Sequence, residues 1–238
     1  MAAAAIRGAR ERARAELTRE IKREARRQLA RDGAQRLSLR AVARELGMAS
    51  SALYRYFPSR DELLTALIAD ARSELAEAVE RAVAVVGGGV PGGDSRVRWR
   101  AYCSALRDWA RARPHEYALL YGSPVPGYQA PAEALAPAAR IPLAVLGVLR
   151  ATALGPAQAA GGPQPPALSA PLARLAAQQA PELPQGVAAR AVTAWTQLCG
   201  LVGFELFGQL DGMLESNDAF FAQAVEQLAD FLGLPQQA

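Results

Sequence analysis

The sequence predicts an all-helical protein of 238 residues. Alanine is plentiful and β-branched residues are sparse, a composition that favours helix over strand. Apolar residues recur every three or four positions through most of the chain, which is the spacing of one helical face. Glycine and proline interrupt this spacing at a few places, most clearly in 87–94, where the sequence reads GGGVPGGD. We therefore expect helices joined by loops.

The first expected helix is rich in arginine and covers Arg10–Arg31. Its apolar positions are spaced by four, beginning with Leu17 and Ile21, and arginines occupy the other faces. We expect residues 1–9 to be frayed and Gly33 to end the helix, because glycine tolerates the left-handed conformation found after many helices.

Two short helices and a tight turn are expected in the segment Leu39–Phe57. Ser38 precedes the first helix, where its hydroxyl can cap free backbone N–H groups. Gly47 suits the turn, and Leu53 gives the second helix a buried face. Apolar residues at i, i+3, i+4 and i+7 form the buried face of the first helix: Leu39, Val42, Ala43 and Leu46. Two helices crossed in this way place the second one in the DNA major groove.

Charge is distributed unevenly along the chain. Residues 1–60 carry 15 Lys and Arg against 6 Asp and Glu, a net charge of +9, while the remaining 178 residues carry a net of −5. Basic patches bind phosphates by releasing condensed counterions. A solvated arginine-rich helix without a partner is the alternative interpretation. Beside a helix-turn-helix pattern, the same charge favours DNA.

The pattern beyond residue 58 predicts further helices. Ser59 and Glu62 have the spacing of a capping box, and the helix after them should run to about Val86. Later helices are expected at Arg96–Arg113, ended by Pro114, and near Ser169–Ala180. Between them, 131–154 should be helical with interruptions at Pro137 and Pro142, and Gly155–Pro166 should be mobile. The last two expected helices are Val187–Leu210 and 216–233, the second capped by Ser216 or Asn217 and closed by Gly233.

Several other classes of protein are disfavoured. No segment holds 18 uninterrupted apolar residues, and Arg190 and Glu205 break the most apolar helix, so we expect no membrane span. The charged N-terminus argues against secretion and for a cytoplasmic protein. With His115 as its one histidine and no glycine-rich phosphate loop, the chain is not expected to be an enzyme or to hold a metal or cofactor. Cys103 and Cys199 are expected to be reduced core residues.

The stretch LSLRAVARELGMASSALYRYFPSRDELL resembles the TetR family of bacterial transcriptional regulators, and the resemblance covers roughly Leu17 to Leu67. It implies a homodimer with a three-helix DNA-binding domain at 1–60 and a helical domain at 61–238. The second domain would dimerise through 187–210 and 216–233 and bind a small effector.

The resemblance also implies a recognition helix from about Ala49 to Phe57. Ser50 would replace Ala49 as its cap, because the family commonly has a serine at position 49, and Tyr56 stands where a histidine is frequent. Arg60 replaces the usual lysine, and we expect it to contact phosphate. The residues implied to contact DNA are Ser38, Arg40, Ala49, Ser50, Ser51, Tyr54, Arg55, Tyr56 and Arg60.

An effector pocket should be apolar and enclosed. Aromatic density after residue 95 suggests candidate lining residues, for each of which core packing is the alternative role. They are Trp99, Tyr102, Cys103, Leu106, Trp109, Tyr117, Leu120, Tyr121, Tyr128, Trp195, Cys199 and Phe204.

The resemblance thus implies a dimeric repressor that binds a palindromic operator in double-stranded DNA and is released by a small molecule. The alternative is an architectural DNA-binding protein. It would use the same helix-turn-helix domain, bind DNA of any sequence, and respond to no effector. An enzyme fused to a DNA-binding head is a third interpretation, which the missing catalytic groups disfavour.

Overall fold

The computed structural model describes residues 2–87, 95–131, 140–150, 152, 165–177, 183 and 185–236, and all regular structure in these ranges is helical. This confirms the all-α class. The first helices are α1 (Ala2–Asp32), α2 (Leu39–Glu45), α3 (Ser50–Leu53) and α4 (Arg60–Gly87), with a short 3₁₀ turn at Ala34–Arg36. The later helices are α5 (Ser95–Ala112), α6 (Pro114–Tyr121), α7 (Arg140–Arg150), α8 (Pro166–Ala177), α9 (Gln185–Leu206) and α10 (Asn217–Leu232).

The chain folds into two compact units. The head unit consists of Met1–Ala71 and His115–Ala134, and the body unit of Arg72–Pro114 and Leu135–Ala238. The division falls inside α4, so this helix contributes residues to both units. The expected domain border after residue 60 stays a prediction.

The head unit is built around the apolar faces of its helices. Residues after the body-unit helix α5 join it, since Leu119, Leu120, Val125 and Tyr128 pack partly buried against its core. The buried core residues are Ile21, Ala25, Leu29, Leu37, Leu39, Val42, Ala43, Leu53, Phe57, Leu63, Leu64, Leu67 and Ile68.

Helix α9 is the centre of the body unit, where α5, α7, α8 and α10 all contact it. Over Gly186–Leu206 it is long and apolar enough to cross a membrane by length and composition, with 44% of that window buried in the protein. A single helix of this kind is weak evidence for a membrane span, because the core helix of a soluble protein meets the same criteria.

Two buried arginines tie α10 to its neighbours. Arg96 pairs with Glu226 of α10 at 3.0 Å and with Asp230, and it donates to the carbonyl oxygens of Leu234 and Pro235, just after that helix, at 2.9 Å each. Arg107 makes a two-pronged contact with Glu205, at 2.8 Å for both nitrogen–oxygen pairs, and donates to Asp218 at 2.6 Å. Hydrogen bonding from Arg107 lowers the pKa of Asp218. A buried guanidinium needs such partners, because an unpaired charge away from water is strongly destabilising.

Several local predictions are confirmed by the helix termini. Gly33 has φ 78° where α1 ends, and Ser59 accepts a hydrogen bond from the Glu62 amide at 3.1 Å at the start of α4. Ser216 is the N-cap of α10, with its side chain accepting from the Ala219 amide, and Gly233 closes that helix in the left-handed conformation.

Other expectations were wrong. Residues 2–9 are helical rather than frayed, since the alanine-rich start has the highest helix propensity. Pro142 lies in the first turn of α7, where a missing N–H breaks no helical bond. Helix α9 ends at Leu206, before Gly208 at φ 76°.

Parts of some expectations lie outside the described residues. The helix expected near Ser169–Ala180 is present as α8, which begins at Pro166, and its expected last three residues are not described. The same holds for Pro137 and for 155–164 of the segment expected to be mobile.

Candidate nucleic-acid interface

The turn between α2 and α3 is fixed by backbone hydrogen bonds. The Ser38 hydroxyl caps α2 by accepting from the Ala41 amide at 3.4 Å. At the other end of α2, the Met48 amide donates to the Ala43 carbonyl at 2.8 Å, and the Gly47 amide donates to the Arg44 carbonyl at 3.1 Å. These two bonds form a Schellman motif, and Gly47 supplies its left-handed residue with φ 64°.

Helix α3 is shorter than expected. Ala49 is its N-cap, with an extended backbone and no side-chain cap, so Ser50 does not replace it. The regular α-helix ends at Leu53, and the chain tightens: the amides of Arg55 and Tyr56 bond to carbonyls three residues back, at 3.3 and 2.8 Å. The expected helix to Phe57 is therefore a single α-turn followed by a tighter turn. Leu53, fully buried, anchors both to the head core.

Side chains around this turn face solvent. Ser51 and Arg55 are exposed, as is Arg40 on α2, and Tyr54 is 41% exposed. Among the described residues, the guanidinium groups of Arg40 and Arg55 have no hydrogen-bond or ion-pair partner. Two further candidates are half-buried, Ser50 and Tyr56. The structure thus gathers these predicted residues around one turn of the head unit.

Arg60, which was also expected to contact DNA, donates hydrogen bonds to backbone carbonyls of the head unit. Its Nε donates to the Leu37 carbonyl at 3.2 Å, and its Nη2 donates to the carbonyls of Ala34 and Gln35 at 2.9 and 3.4 Å. Its Nη1 approaches Asp61 at 3.5 Å. The guanidinium therefore satisfies backbone carbonyls of the 3₁₀ turn that leads into Ser38. A phosphate contact by Arg60 stays a prediction.

Gln28 positions the start of α2, and this role was not expected from the sequence. It lies in α1, is 1% exposed, and its Oε1 accepts from the Ser38 amide at 3.3 Å. Its Nε2 is buried without a hydrogen-bond partner in the described part of the chain. The signal was present in the sequence, because position 28 continues the buried spacing of Ile21 and Ala25. A polar residue on an apolar face needs a buried partner.

Helix α6 is attached to the head unit by a charged cluster. Arg26 of α1 contacts Glu116 of α6 at 2.9 Å and Asp70 of α4 at 3.0 Å, and Lys22 contacts Asp70 at 2.8 Å. The hydroxyls of Thr65 and Tyr128 are 2.9 Å apart. Spacing along the chain could not have indicated these contacts, because they join residues that are far apart in the sequence.

The twelve expected effector-pocket residues do not fall in one unit. Four belong to the head unit and eight to the body unit. The four in the head unit are Tyr117, Leu120, Tyr121 and Tyr128. The eight in the body unit are Trp99, Tyr102, Cys103, Leu106, Trp109, Trp195, Cys199 and Phe204.

The body-unit candidates on α5 are packed core. Trp99 and Tyr102 are fully buried and stacked, with ring centroids 5.5 Å apart. The Trp99 indole donates to the Val225 carbonyl at 2.8 Å, and the Tyr102 hydroxyl donates to the Ile141 carbonyl at 3.0 Å. Burial raises the pKa of the Cys103 thiol well above its ordinary value, which keeps it protonated. A pocket lined by these residues stays a prediction.

A set of large apolar side chains is exposed on α9, α10 and the turn between them. Such side chains, when they lie close together, mark interaction surfaces. They are Phe204 at 56% exposure, Phe207 at 42%, Met213 at 74%, Phe220 at 37% and Phe231 at 43%.

Comparison with known proteins finds family models that match both the N-terminal and the C-terminal part of the chain. A family model described as bacterial regulatory proteins of the tetR family matches residues 21–67. A model described as the tetracyclin repressor-like C-terminal domain matches residues 99–228. The HTH-type transcriptional regulator Rv1816 of Mycobacterium tuberculosis (strain ATCC 25618 / H37Rv) is 39% identical over 210 residues, covering 85% of this chain and 86% of the relative.

Solved structures show the same fold. A regulatory protein named SCO4313 is 35% identical with a TM-score of 0.73, and the match covers 92% of this chain and 98% of that one. PfmR from Thermus thermophilus, a TetR family transcriptional regulator, is 18% identical with a TM-score of 0.51, over 91% of this chain and 99% of its own. At that identity the likeness concerns the fold alone.

Proposed function

Because this chain belongs to the TetR family and is a transcriptional regulator, we propose that it is a cytoplasmic dimeric repressor that binds a palindromic operator and is released by a small molecule. The observation that carries the DNA-binding part is the α2–turn–α3 unit, whose exposed arginines, Arg40 and Arg55, have no partner in the described part of the chain.

The proposed contacts follow from exposure. Arg55 would make a two-pronged contact to a guanine edge, contributing about 1–3 kcal/mol of discrimination. Ser51 would face the same groove, while Arg40 and Tyr54 would bind phosphates and fix the register of the head. The Ser38 hydroxyl accepts a hydrogen bond from the Ala41 amide and would donate its own proton to a phosphate.

Dimerisation is proposed through α9 and α10. The exposed phenylalanines Phe204, Phe207, Phe220 and Phe231 would be covered by the same surface of a second copy, as a twofold interface requires. Two heads would then have to sit about 34–36 Å apart to enter successive major grooves. An effector that binds better to a different spacing would weaken DNA binding by its differential affinity for the two states.

The test is selection of binding sites from a random duplex pool, followed by titration of the selected duplex. We expect a palindromic site, and we expect Arg55→Ala to lower the preference for it about tenfold or more. Arg81→Ala, an exposed change in the body unit, is the matched control. Equal binding to all duplexes would overturn the operator and favour the architectural alternative.

The effector is tested separately, because DNA binding does not depend on it. Small apolar and weakly polar compounds are added to the preformed complex, and release is measured. No release by any compound, together with a body unit whose stability none of them changes, would overturn the effector part while leaving the DNA-binding part intact.

A further inference from the structure

The first half of α1 extends beyond the packed head. Among the side chains that the structure describes, Leu17 is the first apolar residue of α1 that packs against the head core. The overhang, defined as Ala2–Glu16, adds about 22 Å of helix before it. It also precedes residue 21, where the match to the family's DNA-binding domain begins. The overhang therefore needs an explanation of its own.

One side of the overhang is basic. Positions 10, 14, 17, 21 and 28 are spaced by three, four or seven, so they share one side of α1. From Leu17 onward this side is packed into the head, and before Leu17 it carries Arg10 and Arg14, which are exposed. The side of α1 that packs against the head core therefore carries exposed arginines where the helix extends beyond that core.

The opposite side of α1 is partly balanced. Arg19 and Arg23 are each paired with a glutamate three residues earlier, Glu16 and Glu20, whereas Arg12 is exposed and has no carboxylate partner in the described part of the chain. Arg10 and Arg14 have no carboxylate partner in the described part of the chain. The positive charge of the basic side is therefore not balanced by neighbouring carboxylates.

Arg14 connects the overhang to the turn that follows α3 and contains Arg55 and Tyr56. Its guanidinium carbon lies 5.5 Å from the centre of the Tyr56 ring, within cation–π range. Tyr56 belongs to the turn that follows α3. The basic side of the overhang therefore meets the head at Tyr56, the residue that directly follows Arg55, which is exposed and which the proposed function places on DNA.

We propose that the overhang is a second DNA-binding element, in which Arg10 and Arg14 neutralise backbone phosphates next to the groove entered by α3. This rests on the proposed DNA-binding function and adds to it a contact that reads no sequence. Arginine suits such a contact because its guanidinium binds phosphate oxygens in pairs.

The experiment measures affinity for a random-sequence duplex of about 40 base pairs, long enough for two successive major grooves and their flanks, as a function of salt. The test variant is Arg10→Gln with Arg14→Gln, and the matched control is Arg12→Gln with Arg19→Gln on the opposite side of the same helix. Both lose two charges, and glutamine keeps the helix propensity close to that of arginine. A Lys pair at positions 10 and 14 retains the charge.

Each phosphate contact adds about 0.9 to the slope of log affinity against log salt, which is about eightfold in affinity at about 0.1 M salt relative to about 1 M. We expect the test variant to lose at least one such contact per protomer, the control to stay within about twofold of wild type, and the Lys pair to retain most of the binding.

The outcomes are distinguishable. Equal affinities and slopes for test and control variants, with wild type binding the duplex, would overturn the overhang and leave the proposed function standing. Absence of wild-type binding to this duplex, together with failure to select any duplex from the random pool, would overturn the proposed function itself. Circular dichroism of the variants checks that α1 stays helical. A Lys pair that stays helical and still loses binding also counts against the proposal, because it keeps both charges.

Discussion

Replacing Arg60 by lysine keeps the positive charge but removes the planar fork that reaches several carbonyls. In the structure, Arg60 donates to Leu37 and Ala34 at 3.2 and 2.9 Å, with its side chain 29% exposed. A hydrogen bond to a charged group contributes roughly 1.5–3 kcal/mol, and partial exposure favours the lower end. Lysine can keep one of these bonds and also loses the longer contact to the Gln35 carbonyl at 3.4 Å, so we expect a loss of about 1–2 kcal/mol in the stability of the turn before α2.

Hydrogen exchange of the head measures this effect directly, because about 1.4 kcal/mol corresponds to a factor of ten. We expect amides of α2, such as those of Val42 and Leu46, to exchange about five to thirty times faster in Arg60→Lys and faster still in Arg60→Ala. Tryptophan fluorescence would not serve, since all three tryptophans lie outside the head unit.

Salt dependence of duplex binding separates the two roles of Arg60. A residue that positions Ser38 through the backbone weakens binding without changing the salt slope. The reasoning is refuted if Arg60→Ala lowers the slope by about 0.9 per protomer, Arg60→Lys restores it, and exchange of the α2 amides is unchanged in both.

Three further predictions concern other contacts. Leu53→Ala should destabilise the head unit by about 2–5 kcal/mol and abolish duplex binding, because Leu53 is fully buried beneath the turn that follows α3. Denaturant unfolding followed by circular dichroism measures the loss of stability, with Ser51→Ala as the control. Glu116→Gln should speed amide exchange in α6 about fivefold while α2 is unaffected, since it removes the charge that attracts Arg26 and an ion pair of this kind contributes about 1 kcal/mol. Hydrogen bonding from Arg100 lowers the pKa of Glu226. The ionised Glu226 therefore stabilises the folded protein above roughly pH 4.3, and this stabilisation is lost as the pH falls further. Below that pH, the melting temperature of Glu226→Gln should fall less steeply than that of wild type.

Local physics made the helix termini predictable from sequence. A serine hydroxyl caps nearby amides and a glycine adopts positive φ without strain, so the amino-acid sequence alone was enough to assign Ser38, Gly47 and Gly233. The all-helical class followed from spacing in the same way. These features depend on residues a few positions apart, which the sequence displays side by side.

Tertiary partners were not predictable. Nothing in the sequence indicates that Arg60 is used by carbonyls 23 to 26 positions earlier, or that Glu116 contacts Arg26. The family resemblance assigned Arg60 to phosphate from its position and charge alone. The charge pattern identifies a basic surface. Whether a given arginine contacts backbone carbonyls, pairs with a carboxylate or stays unpaired depends on how the helices pack.

The charged cluster around Arg26 bears on how an effector could influence DNA binding. Arg26 shares its guanidinium between Asp70 of α4 and Glu116 of α6, so α1 is held by both helices. Helix α6 follows α5 after one residue, Arg113, and α4 continues into the body unit. Under the proposed function, an effector that displaced Glu116 from Arg26 would weaken the attachment of α6 to α1. Coupling between two binding sites is typically on the order of 1–3 kcal/mol. That is enough for a change of about fivefold to 150-fold in operator affinity, and not enough for complete release without a contribution from α4.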